Sequence, residues 1–329
     1  MRAFVTGGGG FIGGELVRRL RARGDEVIAV VRPATNPDRL RELGCTLVEG
    51  DLATMPRDAL EEAMRGCDAV FHVAGSYRIG IRATEHAPMY AANVVATQRV
   101  LDAAIAVGVP RSVYVSTAGV YGNTKGRVVD ETFRRPQPPR FVSYYDETKY
   151  LAQLAAEERM AAGTPISIVL PTQVYGPHDP SQFGATIFQA MACTLPAITF
   201  PELGLSMVHV EDLAGGILLA HDAGRAGEQY VLGGEIANGR EVIQRAAAIG
   251  GQKPPSLTIP TLLLRGIAPL GGLIGPAMGA APNLGEVIRA AAGVTYWASD
   301  AKARTQLGYA PRDLETGLRS LLDVMVGGR

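Results

Sequence analysis

Short apolar runs alternate with amphipathic segments over the first half of the chain. The runs are rich in β-branched residues and cover residues 3–5, 27–31, 46–48, 69–73, 112–115 and 166–170. Between them, apolar side chains recur at helical spacing over residues 11–23, 89–107 and 145–162. Strands that alternate with helices are typical of βαβ units and of a parallel sheet covered on both faces. Because such crossovers are right-handed, the pattern predicts an α/β fold with a doubly wound parallel sheet.

The pattern weakens after Pro171. Further strands are predicted at residues 208–210 and 229–232, with a helix over 212–223 between them. Residues 252–285 are rich in Pro, Gly, Leu and Ile, and Lys253 and Arg265 are their only charged residues. Two interpretations stay open for this segment: a loosely packed part of the core, or a small lid that lines an apolar substrate pocket.

Composition excludes several classes of protein. The 329 residues include 32 basic and 32 acidic side chains, so the formal charge is zero, which argues against a nucleic-acid groove or a polybasic membrane surface. The three cysteines are widely spaced and odd in number, so neither a disulfide framework nor a zinc site is expected. The start of the chain lacks the pattern of a signal peptide, and no run of 18 apolar residues exists. We therefore expect a cytoplasmic protein without a metal and without an integral membrane segment.

Glycines fill the turn between the first strand and the first helix. Gly7, Gly10 and Gly13 fit the spacing of a dinucleotide-binding turn, with Phe11 and Ile12 opening the helix. Gly7 permits the tight turn, Gly10 lets backbone N–H groups approach a pyrophosphate, and Gly13 allows close packing of helix on strand. The helix N-terminus adds partial positive charge. These features predict a Rossmann-type site for a nicotinamide dinucleotide.

This site suggests how the chain divides. We expect a dinucleotide-binding Rossmann domain over residues 1–170, to which segments near 205–235 and 295–310 return. A smaller, discontinuous C-terminal lobe would then bind the substrate. It would be formed by residues 171–204, 236–294 and 311–329.

The end of the second strand indicates which dinucleotide binds. NAD sites usually place an acidic residue there for the ribose hydroxyls, but this chain has Val31-Arg32-Pro33, with Arg39 further on. A guanidinium suits a 2′-phosphate, although Arg32 could also be an ordinary solvated arginine. NADP is therefore the expected cofactor, with NAD as the alternative.

Three further strand ends complete the predicted cofactor site. Asp51 and Leu52 follow the third strand, where the carboxylate could accept from the adenine amino group or only cap a turn. The small residues Val73, Ala74 and Gly75 follow the fourth strand, and Pro171 ends the sixth. His72 is interpreted as a packed strand residue rather than a catalyst.

A tyrosine and a lysine share one face of the helix predicted over residues 145–162. Tyr145 and Lys149 lie at i and i+4, so their side chains project together. A neighbouring ammonium and a positive nicotinamide would lower the pKa of the phenol towards the working range. Ser116 and Thr117 end the fifth strand, at the sheet edge where ligands of parallel sheets bind, and chemistry alone favours Thr117 only slightly. These residues predict an acid–base site beside the cofactor.

In this order, the motifs resemble the extended short-chain dehydrogenase/reductase family over nearly the whole chain. They are Thr6-Gly7-x-x-Gly10-x-x-Gly13, Asp51-Leu52, Ser116-Thr117, Tyr145-x-x-x-Lys149, Pro171 to Pro177 and Val208 to Leu213. The resemblance implies that Thr117, Tyr145 and Lys149 are catalytic, that Lys149 also binds the nicotinamide ribose, and that Asn93 is the family's buried helix asparagine, either structural or part of a proton relay. It also implies hydride transfer to or from a small-molecule substrate, and a homodimer formed through residues 89–107 and 145–162.

The residues before Val208 separate the subgroups of this family. Nucleotide-sugar epimerases and dehydratases usually carry a cation there for the diphosphate, whereas this chain has Leu205-Ser206-Met207. The chain therefore is most similar to dihydroflavonol reductase-like and hopanoid-associated epimerase-like members, and an apolar ketone or aldehyde is the expected substrate. A nucleotide-sugar epimerase or dehydratase, and a non-catalytic NADP sensor, stay open as alternatives. The candidate substrate contacts are Tyr77, Tyr121, Gln173, His178 and Met207.

Overall fold

The computed structural model describes residues 1–33, 35–272 and 281–323. The strands are β1 (Arg2–Thr6), β2 (Glu26–Val31), β3 (Thr46–Glu49), β4 (Ala69–His72), β5 (Arg111–Val115), β6 (Ile166–Pro171), β7 (Gln173–Tyr175), β8 (Gly204–His209), β9 (Gln229–Leu232) and β10 (Glu235–Asn238). The helices of the first half are α1 (Phe11–Ala22), α2 (Asp38–Glu42), α3 (Arg57–Met64), α4 (His86–Tyr90), α5 (Ala96–Ala106) and α6 (Tyr144–Ala161). The later helices are α7 (Gln182–Met191), α8 (Val210–Asp222), α9 (Gly239–Ile249), α10 (Thr261–Ile267), α11 (Leu284–Ala291), α12 (Ala301–Leu307) and α13 (Leu314–Arg319).

Seven strands form one parallel sheet in the order β3-β2-β1-β4-β5-β6-β9. The strand order reverses beside β1, which is the switch point where open α/β sheets bind their ligands. The doubly wound parallel sheet that the sequence predicts is confirmed.

Side chains that alternate along these strands build a core on each face of the sheet. On one face, Val5 and Ala29 pack with Leu16 of α1 and Ile217 of α8. On the other, neighbouring strand residues pack against α3 and α5 in one cluster and against α6 in another. Apart from the edge strand β3, these strands are almost entirely buried, which explains why their sequences are mostly apolar.

A second, three-stranded sheet has the order β10-β8-β7. Its strand β8 pairs antiparallel with β10 and parallel with β7. The segment near 205–235 is therefore divided between the two sheets. Helix α8 packs against the main sheet and β9 is its edge strand, while β8 belongs to the small sheet. The small sheet has its own apolar cluster, which includes Tyr175, Leu205, Val242 and Leu318 from four separate elements.

The apolar segment 252–285 is described except for residues 273–280. Helix α10 packs through Leu264 against Ile288 of α11, in a small cluster that also contains Ala292. Leu262, on the outer side of α10, is 81% exposed. The described part of this segment is therefore a thin layer of helices, one side of which faces solvent.

Candidate active site

The glycine turn closes tightly between β1 and α1. Gly7 has a φ of +72°, and a Cβ there would lie 2.8 Å from the backbone nitrogen of Ala74. The Gly10 N–H donates to the carbonyl of Gly7 at 2.9 Å, and a Cβ on Gly13 would overlap that same carbonyl. Gly7 and Gly13 therefore each exclude a side chain for a steric reason of their own.

Helix α1 presents free backbone donors at this turn. Its N-cap is Gly10, which has no side chain to bond the first N–H groups, and both Gly9 and Gly10 are exposed. The helix runs over 12 residues, so its N-terminus carries partial positive charge. This cradle fits the diphosphate of a nicotinamide dinucleotide, and Phe11 and Ile12 are half-buried beside it.

Two arginines lie exposed at the corner formed by β2 and α2. Arg32 directly follows β2, and Arg39 reaches to within 3.4 Å of the position that a Cβ on Gly14 would take. Among the described residues, neither guanidinium forms a salt bridge. The Gly50 N–H donates to the Val31 carbonyl at 2.9 Å, which brings the start of the 51–55 turn close to Arg32. In that turn, the exposed Asp51 accepts from the Ala53 N–H at 2.8 Å, while Leu52 packs inward against the apolar cluster of α3 and α5.

A buried chain of hydroxyl and imidazole groups joins β1, β4 and α5. The Thr6 hydroxyl contacts His72 Nδ1 at 2.8 Å and accepts from the N–H groups of Val73 and Ala74. His72 Nε2 contacts the Thr97 hydroxyl at 2.9 Å, and that hydroxyl donates to the Asn93 carbonyl. This pattern requires the Nε2–H tautomer, with Thr6 donating to Nδ1. Burial and then the charge of Lys149 lower the pKa of His72 to about 3, so the ring is neutral.

Tyr145, Thr117 and Lys149 converge at the carboxyl edge of β5. Ser143 starts α6 by accepting from the Asp146 N–H at 3.1 Å, which places Tyr145 in the first turn of the helix. The buried Lys149 ammonium donates to the Tyr114 hydroxyl at 3.1 Å and to the Val115 carbonyl at 3.3 Å. The Thr117 hydroxyl accepts from the Gly119 N–H at 3.1 Å, so it caps its turn, and it lies near enough to the Tyr145 phenol to act on the pKa of that phenol.

The protein's own groups raise the pKa of Tyr145 instead of lowering it. Burial is the main cause, the phenols of Tyr77 and Tyr114 add to it, and the hydrogen bond from Thr117 acts in the opposite direction. The sequence-based expectation attributed a lowered pKa to Lys149 together with a positive nicotinamide, and of these two the Lys149 ammonium donates to Tyr114 and Val115. In this environment the phenol is held in its protonated form.

Asn93 links the loop after β4 to helix α6. It lies in a π-helical turn, Ala91–Val95, and its Oδ1 accepts from the Ser76 N–H at 2.7 Å. Its Nδ2 donates to the Ser76 carbonyl at 3.1 Å and to the Thr148 hydroxyl at 2.9 Å. The amide is thus fully bonded, and π turns of this kind are frequent at functional sites.

An ion pair that no sequence pattern indicated joins the segments around Thr117 and Tyr145. Arg135 and Asp146 are both buried, and their guanidinium and carboxylate meet at 2.5 and 3.1 Å. Arg135 also donates to the carbonyls of Gly119 and Val120, two and three residues after Thr117. Arg135 lies in an irregular segment without periodicity or a motif, so no pattern in the sequence pointed to it.

The predicted substrate residues lie in different places. Tyr77 contacts Tyr145 edge to face at 4.9 Å between ring centroids, and Gln173 is half-buried on β7. Met207 is buried in the core of the small sheet, and Tyr121 packs against Phe133 in the core beside α6. His178 is exposed, in a left-handed conformation with φ +62°. The structure therefore brings Tyr77, and not Tyr121 or Met207, into contact with the acid–base centre.

The remaining predicted cofactor residues surround the same edge. Val73 and Ala74 are half-buried beside Gly7, Gly75 is exposed next to Asn93, and Pro171 is buried at the end of β6. The neighbouring hydroxyl of Ser116, the alternative to Thr117, is buried and has no hydrogen-bond partner in the described part of the chain.

Comparison with known proteins agrees with this geometry. The model of the NAD dependent epimerase/dehydratase family matches residues 3–233. A putative dihydroflavonol 4-reductase of Synechocystis sp. is 34% identical, over 79% of this chain and 76% of that protein. A 4-hydroxy-2-methyl-3-oxo-4-farnesyl-3,4-dihydroquinoline-1-oxide ketoreductase of Stigmatella aurantiaca is 32% identical over 95% of this chain and 92% of its own. The structure of a DesIV double mutant (dTDP-glucose 4,6-dehydratase) of Streptomyces venezuelae with NAD bound is 26% identical, with a TM-score of 0.77 and coverage of 98% and 96%.

The chain belongs to the NAD-dependent epimerase/dehydratase family, the extended short-chain dehydrogenases/reductases. It is dihydroflavonol reductase-like, and it is an oxidoreductase that uses a nicotinamide cofactor. Within residues 1–33, 35–272 and 281–323, no helix is both long and apolar enough to cross a bilayer.

Proposed function

We propose that this protein is an NADP-dependent reductase that transfers a hydride between nicotinamide and the carbonyl or carbinol carbon of a small, largely apolar ketone or aldehyde. The convergence of Thr117, Tyr145 and Lys149 beside the glycine turn carries the proposal. The aromatic ring of Tyr77 against Tyr145 gives the substrate an apolar wall.

When bound, the reduced cofactor supplies the hydride to the carbonyl carbon. Tyr145 holds the proton that the developing alkoxide oxygen needs, because burial keeps its phenol protonated. Thr117 donates a hydrogen bond at the same oxygen. After transfer, the phenolate of Tyr145 regains a proton from water, and the product is the alcohol.

Preference for NADP rests on the exposed corner of Arg32 and Arg39. Both guanidiniums are free of salt bridges in the described part of the chain; Arg32 follows β2, and Arg39 lies beside Gly14 in the first turn of α1. They suit the additional charge of a 2′-phosphate.

The nucleotide-sugar alternative finds little support at β8. Leu205, Ser206 and Met207 are all buried there, and the Ser206 hydroxyl is engaged with the backbone of Ala298. None of these three residues carries a positive charge that could pair with a diphosphate. The third candidate, a non-catalytic NADP sensor, would have no use for the acid–base pair.

Tyr145→Phe tests the catalytic proposal. We expect turnover of NADPH with a panel of aryl ketones, aromatic aldehydes and medium-chain 3-oxo compounds to fall about 10²- to 10⁴-fold, as for loss of a general acid. The affinity for NADPH, followed by its fluorescence, should be unchanged. Full turnover in the variant would exclude Tyr145 as the acid. Tight NADPH binding by the wild type without turnover on any panel member would favour the sensor.

We also propose a homodimer in the cytoplasm. Tyr90, Ile105 and Leu154 are 40–42% exposed on the helices α4, α5 and α6, which gives these helices apolar positions for a partner copy. The three cysteines are free, as a reducing compartment requires. Light scattering should give twice the mass of 34.7 kDa, and the mass of one chain would exclude the dimer.

A further inference from the structure

Three distant segments meet at one buried carboxylate, that of Glu286 on α11. Its Oε1 accepts from the backbone N–H of Tyr144 at 2.5 Å, in the first turn of α6. Its Oε2 accepts from the N–H of Gly80 at 3.1 Å, in the loop that follows β4. The side chain is 3% exposed and forms no salt bridge with any described residue. Backbone donors and the N-terminus of the 18-residue helix α6 are what stabilise its charge.

A second backbone contact joins the loop around Gly80 to the start of α11. The Asn283 N–H donates to the Gly80 carbonyl at 2.8 Å, and Asn283 Oδ1 caps α11 by accepting from the Glu286 N–H. Gly80 has a φ of +79°, and a Cβ there would lie 2.7 Å from Cγ2 of Val287. The backbone of this loop is therefore held at a fixed distance from α11.

The two amides that Glu286 holds each lie close to an aromatic ring of the site. Tyr144 directly precedes Tyr145, and Gly80 lies three residues after Tyr77 in the same loop. Tyr77 and Tyr145 are the edge-to-face pair, with ring centroids 4.9 Å apart. The carboxylate thus fixes the backbone behind both rings at once.

We propose that Glu286 is a positioning residue that sets the spacing between the Tyr77 wall and the acid–base centre, and so links helix α11 to catalysis. The inference rests on the proposed function of Tyr145. Only a group with two acceptor oxygens can bond both N–H donors, because an amide would turn an NH₂ group towards one of them. Glutamine at this position keeps the volume and loses one of the two bonds.

The test compares Glu286→Gln with Glu235→Gln. Glu235 is the control, because its carboxylate also accepts from a helix N-terminus, the Leu314 N–H at 3.0 Å, although it is half-buried and also pairs with Arg245. With a carbonyl compound that the wild type reduces, we expect kcat/KM of Glu286→Gln to fall about 10- to 100-fold, since small displacements of catalytic groups have effects of this size. NADPH affinity should be unchanged, because the glycine turn is not involved. The control should keep wild-type kcat/KM.

Amide hydrogen exchange provides a readout that needs no substrate. In Glu286→Gln, exchange should become faster at residues 77–82 and in the first turn of α6, and remain unchanged at the glycine turn. Gly80→Ala would place a methyl group against Val287 and so disrupt the same contact from the loop side. This variant should reproduce both the kinetic loss and the faster exchange of the loop.

Unchanged exchange in Glu286→Gln, or kcat/KM equal to that of the control, would overturn the inference. A parallel loss of NADPH affinity would also overturn it, since that result indicates general loosening of the fold. If Tyr145→Phe keeps full turnover, the proposed function fails instead, and the exchange data still decide whether Glu286 holds the two segments.

Discussion

The two halves of the site are built in different ways. On the nucleotide side, the glycine turn uses backbone alone: Gly7, Gly10 and Gly13 lie within seven residues and present N–H groups from a helix N-terminus. On the substrate side, single side chains from remote segments fix the geometry, as Arg135 does for Asp146 and the carbonyls after Thr117. The first construction is local in sequence, and the second exists only after folding.

This difference predicts how each half responds to substitution. A change in the glycine turn is a steric clash within one loop, so it should remove cofactor binding and leave the rest of the fold in place. A change in a buried ionic contact leaves a charge without its partner, so it should affect stability and the catalytic step together.

The largest loss of cofactor affinity is expected for Gly13→Ala. Its methyl group would overlap the Gly7 carbonyl, so the turn must open, and NADPH affinity should fall about 100-fold or more, as for loss of several charge-assisted hydrogen bonds. Fluorescence titration measures this affinity. Gly266→Ala on α10 is the control, because a Cβ there meets nothing within 4 Å. Equal affinity in both variants would contradict the steric role of Gly13.

Arg135→Met should separate stability from activity. Removing one partner of the buried pair should cost about 3–5 kcal/mol in the free energy of unfolding, measured with urea. The double variant Arg135→Met/Asp146→Leu should recover most of this stability, but turnover should stay low because Gly119 and Val120 lose their donor. Arg319→Met, which breaks an exposed pair with Glu315, should cost about 1 kcal/mol or less. Recovery of turnover in the double variant would show that the pair does not position Thr117 and Tyr145.

Arg32→Ser and Arg39→Ser examine the outer edge of the nucleotide half. Each should weaken NADPH binding about 10- to 100-fold, the range for a charge-assisted hydrogen bond, and leave NADH binding unchanged. Arg41→Ser serves as the control, since Arg41 lies exposed on α2 and pairs with Asp38 at 3.1 Å. A wild-type protein that binds NADH more tightly than NADPH would refute the proposed preference.

His72 lies where the two halves meet, and its effect is seen only when the pH is lowered. Its folded pKa of about 3 is below the unfolded value near 6.5, so the unfolded chain binds the extra proton as the pH falls through this window. The contribution of His72 should therefore be fully present above pH 6.5 and be reduced by about 2 kcal/mol between pH 7 and pH 5. The pKa of His209 is also lowered, so this residue contributes to the same pH dependence. The contribution of His72 is therefore obtained by comparing urea unfolding of the wild type with that of His72→Gln at both pH values. An identical pH dependence in the variant would mean that His72 titrates normally.

Much of the fold and part of the site could be predicted from the sequence. The strands of the main sheet and the turn at Gly7 follow from periodicity and from glycine spacing, and Tyr145 and Lys149 follow from their i, i+4 relation. The placement of Tyr121 did not follow, because its neighbour Phe133 comes from a separate segment. Nor did the raised pKa of Tyr145, which depends on burial and on the rings of Tyr77 and Tyr114.

The sequence by itself determined the parallel sheet and predicted the glycine turn and the residue types of the proposed acid–base centre, because these depend on neighbours within a few positions along the chain. Tertiary structure alone decided that Arg135 meets Asp146 and that Glu286 joins the loop at Gly80 to the start of α6. Such contacts join residues that are 11 to 206 positions apart. Desolvation makes these charges costly unless each finds its donors, so their partners are chosen by packing, which no local pattern records.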